Sequence, residues 1–181
     1  MNKPHLMGML DLSGGFVDIT DPWYPRSFFA RRNQLGVLPG KYRCYIVQQD
    51  HEIVMGNGEV FHSIETTDGF IIHESVTDDP DLFHKSIDFL MDQIGVDTAT
   101  AGFFSGMPDG QAPWAYLCAC RNGDVAGHDP FIFTKKEDGF DGFICDTGIG
   151  DGVYPLYAHF DKDNQIDALK LTFWDDEDSE E

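Results

Sequence analysis

The sequence predicts a mainly β, or α+β, domain: antiparallel sheets in a sandwich-like or barrel-like arrangement, with one amphipathic helix inserted at about residues 80–94. Three observations carry this reading. Short segments that alternate apolar and polar residues recur along the chain, each bounded by Gly, Pro, Asn or Asp. Only one stretch carries apolar residues at helical spacing. The regular strand–helix alternation of a parallel α/β fold is missing.

Taken in order, Leu6 to Leu12 and Gly15 to Ile19 read as short strands joined by Ser13-Gly14-Gly15. Asp21-Pro22-Trp23-Tyr24-Pro25 reads as a turn, because two prolines fix φ and remove backbone donors. Ser27 to Leu38, beside the basic residues Arg26, Arg31 and Arg32, is expected to be a short helix or an ordered loop. After Pro39-Gly40, Lys41 to Gln49 predicts a strand with Tyr42, Cys44 and Ile46 on one face and Tyr45 and Val47 on the other. Glu52 to Met55 and Glu59 to Ile64 flank Gly56-Asn57-Gly58, a hairpin signal because Asn-Gly tolerates positive φ. Gly69 to Ser75 predicts a further strand.

The helix is expected from Pro80 to Ile94. Asp79 suits the N-cap, Pro80 the first helical position and Asp81 the positive end of the dipole. Leu82, Phe83, Ile87, Leu90, Met91 and Ile94 form its apolar stripe, and Gly95 ends it. Strands follow at Val96 to Phe104, Trp114 to Cys120, Phe131 to Thr134, Phe140 to Cys145, Tyr154 to Phe160 and Ile166 to Phe173. No internal repeat is legible. Residues 1–174 are expected to form a single globular domain, and 175–181, with six acids in seven residues, a flexible acidic tail.

Composition narrows the functional classes. Hydrophobic residues make up 41% and aromatics 13%, enough for a core without a metal or disulfide staple. No apolar run approaches the roughly 20 residues that span a bilayer. The opening Met1-Asn2-Lys3-Pro4-His5 lacks a signal-peptide pattern, so a cytoplasmic location is expected. Twelve Lys and Arg against 32 Asp and Glu give a net charge of −20. A field of that sign repels nucleic acid and anionic membrane and favours encounter with a basic protein, although an acidic surface also simply keeps a protein in solution.

Chemical constellations are sparse. Cys44, Cys118, Cys120 and Cys145 sit among apolar neighbours without zinc spacing and read as reduced, buried thiols. Asp161 to Asp167 superficially follows the start of a calcium loop, but Ile166 occupies the sixth position, where glycine is needed, so it reads as a polar turn. His62, His73 and His159 fall on strands and read as unrelated half-buried imidazoles, with a shared site as the alternative. Asp146-Thr147-Gly148-Ile149-Gly150-Asp151-Gly152 is the most suggestive segment. Its glycines allow a sharp turn or close approach to a ligand, and its carboxylates suit a cation or a hydroxyl; the bland alternative is a tight loop with structural glycines.

Four segments, Asp21-Pro22-Trp23-Tyr24, Pro39-Gly40-Lys41-Tyr42-Arg43-Cys44-Tyr45-Ile46, Val96-Asp97-Thr98-Ala99-Thr100-Ala101-Gly102-Phe103 and Thr147-Gly148-Ile149-Gly150-Asp151-Gly152-Val153-Tyr154-Pro155-Leu156-Tyr157, keep one order along the chain. Together they resemble an uncharacterised bacterial and phage family, a domain of unknown function. Its members carry Asp-Pro-Cys-Tyr, Val-Asp-Ser-Gly and Gly-Tyr-Gly-Asp-Gly-x-Tyr-Pro segments. Trp23 stands where the family has cysteine, and Thr98-Ala99 where it has Ser-Gly. Any cysteine or serine chemistry there would be lost. The resemblance implies a compact β-rich domain and no established activity.

Two functional readings follow. The first is a non-catalytic acidic binding protein, immunity- or inhibitor-like, that recognises a basic protein partner. The second is a small-molecule or divalent-metal-binding domain, with hydrolytic chemistry in reach, built around the glycine loop. Its candidate ligand-binding residues are Asp21, Tyr24, Asp97, Asp146, Gly150, Asp151 and Tyr154. No catalytic residue, metal ligand set or cofactor is expected.

Overall fold

A computed structural model describes residues 3–21, 31–97, 99–106, 131–134, 142–147 and 150–173. Two antiparallel sheets, not closed into a barrel, account for most of them. The first half contributes β1 (His5–Leu12), β2 (Phe16–Thr20), β3 (Arg31–Gly36), β4 (Gly40–Val54) and β5 (Val60–His73). One helical turn follows, α1 (Pro80–Phe83), continued by a 3-10 turn over His84–Ser86. The second half supplies β6 (Phe89–Val96), β7 (Thr100–Phe104), β8 (Phe131–Thr134), β9 (Gly142–Asp146), β10 (Gly152–Phe160) and β11 (Ile166–Thr172). The larger sheet has the order β1-β4-β5-β11-β10-β6 and the smaller β3-β2-β7-β9-β8.

Alternation along the strands explains the layers. Leu10, Leu12, Tyr42, Cys44, Ile46, Tyr154, Leu156 and Ala158 leave one face of the larger sheet and join Val17, Ile19, Ala101, Phe103, Phe143 and Cys145 of the smaller sheet in one buried cluster. Tyr45, Val47, Phe70, Ile72 and Ala168 leave the opposite face, where Phe83 and Ile87 cover them. The two faces expected of Lys41 to Gln49 are thus both buried, against different layers. Lys170 Nζ donates to the His84 carbonyl at 3.5 Å, and His84 Nε2 lies 3.5 Å from Asp68 Oδ2, which tie the cover to the sheet.

The expected helix over 80–94 is corrected. Its start is as read: the Asp79 side chain accepts from Asp81 N–H at 3.0 Å and Pro80 opens the turn. It stops at Phe83, and residues 89–96 form edge strand β6, paired to β10 from Gly152↔Val96 to Ala158↔Phe89. Six apolar residues at mixed spacing of three and four fit a helical stripe, yet Leu82 is 69% and Leu90 55% exposed. The buried positions near the end of β6, Ile94 and Val96, are two apart, the period of a strand. Three further boundaries differ. Residues 31–36 are strand rather than helix or loop, the segments read at 41–49 and 52–55 are one strand, and those at 59–64 and 69–75 are another. The expected strand at 96–104 belongs to two strands, β6 ending at Val96 and β7 beginning at Thr100. The expected strand at 114–120, with Cys118 and Cys120, and the tail at 175–181 lie outside the described residues.

An internal repeat is present after all. The order of the larger sheet is a palindrome under exchange of β1, β4 and β5 for β6, β10 and β11. β1 and β6 share one burial pattern, residue for residue. The registers match too: Leu12↔Gly40 and Leu10↔Tyr42 in the first half correspond to Val96↔Gly152 and Ile94↔Tyr154 in the second. Tyr42 donates to the carbonyl of Leu38 at 2.8 Å, four residues back, and Tyr154 to that of Gly150 at 2.7 Å, also four back. Few identities mark the repeat; the clearest are Gly40-x-Tyr42-x-x-Tyr45 and Gly152-x-Tyr154-x-x-Tyr157.

Candidate functional site

The candidate residues gather where the chain crosses between sheets. β6 of the larger sheet ends at Val96 and β7 of the smaller begins at Thr100, while β9 of the smaller ends at Asp146 and β10 of the larger begins at Gly152. Thr147 N–H donates to the Ala99 carbonyl at 2.9 Å, which locks one crossover to the other. Asp21, at the end of β2, reaches the same end of the sandwich.

Two carboxylates there, Asp21 and Asp151, accept from backbone. Asp21 is fully buried, and its Oδ2 accepts from Asp97 N–H at 2.8 Å. Asp151 Oδ1 accepts from Ala99 N–H at 3.0 Å. These bonds hold the backbone at Asp97 and at Ala99, the latter at φ 54°, a region costly for a residue with a Cβ. Buried N–H groups need a partner, and an ionised carboxylate is a strong one. Two hydroxyls converge on one acceptor: Thr147 Oγ1 at 2.6 Å and Tyr154 Oη at 2.7 Å both donate to the Gly150 carbonyl. Gly150 adopts φ 103°, which only glycine takes without strain.

The arrangement brings Asp21, Asp97, Gly150, Asp151 and Tyr154 together, but by different means. Asp97 enters through its backbone N–H while its side chain is exposed. Asp146 lies on β9 opposite Thr100, in the strand that leads into the loop. Tyr24 lies outside the described residues. Thr147, which composition did not single out, is fully buried and central to the clamp. A threonine flanked by aspartate and glycine in a crossover was the only available signal.

The first half builds the same device with different acceptors: Asp11 Oδ1 accepts from Ser13 N–H at 3.0 Å where Asp21 accepts from Asp97, and the Leu12 carbonyl accepts from Gly15 N–H at 2.8 Å where Asp151 accepts from Ala99. Val37 N–H donates to the Gly15 carbonyl at 3.0 Å, as Thr147 does to Ala99, and Gly15 has φ 74° where Ala99 has φ 54°. The tyrosine bond four residues back is repeated at Tyr42. A feature made twice by one fold is a means of joining sheets.

The other candidates separate. His62 Nδ1 lies 3.2 Å from Asp50 and His159 Nδ1 2.6 Å from Asp167. Ser75 N–H donates to His73 Nδ1 at 3.1 Å, which leaves Nε2 to donate to the Pro39 carbonyl at 3.2 Å. Each imidazole therefore has its own partner, and His62 and His73 sit near opposite ends of β5. Asp161 Oδ1 accepts from Asp163 and Gln165 N–H, both at 2.8 Å, the geometry of a polar turn. Cys44 and Cys145 are buried thiols outside any disulfide; burial, then the neighbouring Cys145, pushes the Cys44 thiol well above its ordinary range. Among the described residues no helix is long and apolar enough to cross a membrane, and no cluster of three or more His, Cys, Asp or Glu is placed to hold a metal ion. No protein-family model, curated protein or solved structure matches the chain.

Proposed function

We propose that this chain is a non-catalytic acidic binding protein that recognises a basic protein partner, in the manner of an immunity protein or inhibitor. The observation that carries the reading is the net charge of −20, from 12 basic against 32 acidic side chains. Such a field accelerates encounter with a positive surface and disfavours acidic competitors. Support over the small-molecule reading comes from the clamp. Asp21 and Asp151, the acids best placed for a ligand, accept from Asp97 and Ala99 N–H, and the other half makes the corresponding joint with Asp11 and the Leu12 carbonyl in those places. Kinship with the uncharacterised bacterial and phage family belongs to the same proposal. The family's glycine-aspartate-glycine segment is here Gly150-Asp151-Gly152, a joint of the fold.

The test is co-purification of the tagged chain from its native host at low and then moderate salt, beside calorimetric titration with calcium and magnesium. One basic protein retained in stoichiometric amount and weakened by salt is the expected result. Binding of a divalent cation that Asp151→Ala abolishes, with no protein retained, overturns the reading in favour of the second.

A further inference from the structure

The internal repeat isolates one element that the fold does not require. In the second half, the β10–β11 hairpin closes at once through Asp161 to Gln165. In the first half, the matching β4–β5 hairpin runs on for six more pairs, from Gln49↔Glu65 to Val54↔Val60, before Gly58, at φ 82°, turns it. β1 pairs with β4 no further than Ile46, and β11 with β5 no further than Asp68. Beyond those points each strand of the pair has only the other as a strand partner among the described residues. The result is a two-stranded arm about 20 Å long at roughly 3.4 Å per residue.

Its surface is unlike that of a solubilising loop. Val54, Val60, Phe61 and Ile64 are 64%, 49%, 52% and 69% exposed. Residues directly opposite share a face, so Val54, Val60 and Ile64 lie together with Asp50 and Glu52 on one side of the arm. Residues 48–66 contain four acids and no Lys or Arg. Long apolar edges are normally shortened or guarded with lysine, because they invite another strand. Among the described residues this arm has open edges, apolar side chains and, with its histidines neutral, charge of one sign. A second copy would set acids against acids, whereas an extended segment bearing both lysine or arginine and apolar residues would complement it.

We propose that the β4–β5 arm is the docking element for such a segment of a partner protein, added along the arm as a further strand. The inference rests on the binding-protein reading and gives that reading a place on the molecule. The probe is a short peptide alternating lysine with valine, compared at low salt with one of equal charge alternating lysine with serine. Binding is followed by amide chemical shifts on the full chain. The expected result is at least about tenfold tighter binding of the valine peptide, with shifts confined to residues 48–66. That preference disappears in Phe61→Ser/Ile64→Ser, and Asp50→Asn/Glu52→Gln weakens both peptides. A third variant, with residues 48–66 replaced by the sequence Asp161 to Gln165, keeps the wild-type unfolding midpoint and loses the preference.

Equal binding of the two peptides, or a preference that survives the arm variants, overturns the arm while leaving the acidic-binder reading intact. No binding of either peptide overturns both. Concentration-dependent dimerisation lost in Phe61→Ser/Ile64→Ser would assign the arm to a second copy and overturn the proposed partner.

Discussion

Gly69→Ala probes the contact on which the two-sheet arrangement depends. Gly69 lies on β5 of the larger sheet, and a Cβ built there would stand 2.5 Å from Cys145 Sγ, 3.4 Å from Cys145 Cβ and 3.5 Å from Phe173 Cε2. Ordinary carbon contacts lie at about 3.5–4.0 Å, so the sulfur must retreat by about 1 Å. Cys145 is fully buried and Phe173 is 2% exposed, so the sulfur has to move within the core rather than into solvent. Overpacking of this kind costs about 1–3 kcal/mol, and replacing glycine inside a strand returns about 0.5–1 kcal/mol of backbone entropy. The net expectation is a loss of roughly 1–2 kcal/mol, read from urea unfolding midpoints at unchanged slope. Cys145→Ala removes the obstructing atom, so the double variant should be more stable than the sum of the singles by about 1 kcal/mol. A neutral Gly69→Ala, or additivity within about 0.5 kcal/mol, would show that β5 and β9 do not face each other.

Three further outcomes are expected. Leu82→Ala and Leu90→Ala should change stability by less than about 0.5 kcal/mol, while Ile87→Ala and Ile94→Ala cost about 2–5 kcal/mol; four similar losses would restore the continuous helix. Asp21→Ala should cost about 1–3 kcal/mol, by leaving the Asp97 N–H without its acceptor, and should broaden or shift the amide signals of residues 96–100; an unchanged midpoint would dismiss the clamp. Alkali should unfold the protein earlier than surface titration alone would. Burial first, then Asp167 and Asp161, pushes the Tyr42 phenol above its ordinary 10.0, and burial pushes the Cys44 thiol above its ordinary 9.0. Both folded values are raised, so the unfolded chain loses these protons first. Stability is then complete below about pH 9 and falls as pH rises past 9 and 10. Tyr42→Phe and Cys44→Ala should flatten that decline, and a decline of unchanged steepness in both would contradict the assignment.

Much of this fold was legible because strands declare themselves by period and turns by residue type. Leu6 to Leu12, the two-faced strand after Gly40, the Asn57-Gly58 turn and the final hairpin all lie where alternation and glycine place them. The helix over-reached because Leu90 and Met91 follow Phe83 and Ile87 at a spacing that suits both periods. Their counterparts in β1, Leu6 and Met7, have no such prelude and read as strand at once. Asp79-Pro80-Asp81 marked a true helix start, and the start carried no information about length. The repeat was illegible for a different reason. A sandwich core demands apolar character rather than identity, so Leu10 and Ile94, or Cys44 and Leu156, share a place without sharing a residue. At the candidate site, the sequence identified residues that come together and left their purpose open. An aspartate beside glycines serves a cation or a backbone N–H equally well, and only the distances from Asp21 to Asp97 and from Asp151 to Ala99 distinguish the two.

The account's central claim, recognition of a basic protein by an acidic surface, is tested most directly by the salt dependence of equilibrium binding. The retained partner is titrated against the full chain across a salt series, with Asp50→Asn/Glu52→Gln in parallel. The account predicts affinity that falls steadily as salt rises past the range where a Debye length of about 10 Å screens surface charge, with a shallower dependence in the variant. Affinity indifferent to salt, or a retained partner that is itself acidic, would contradict it.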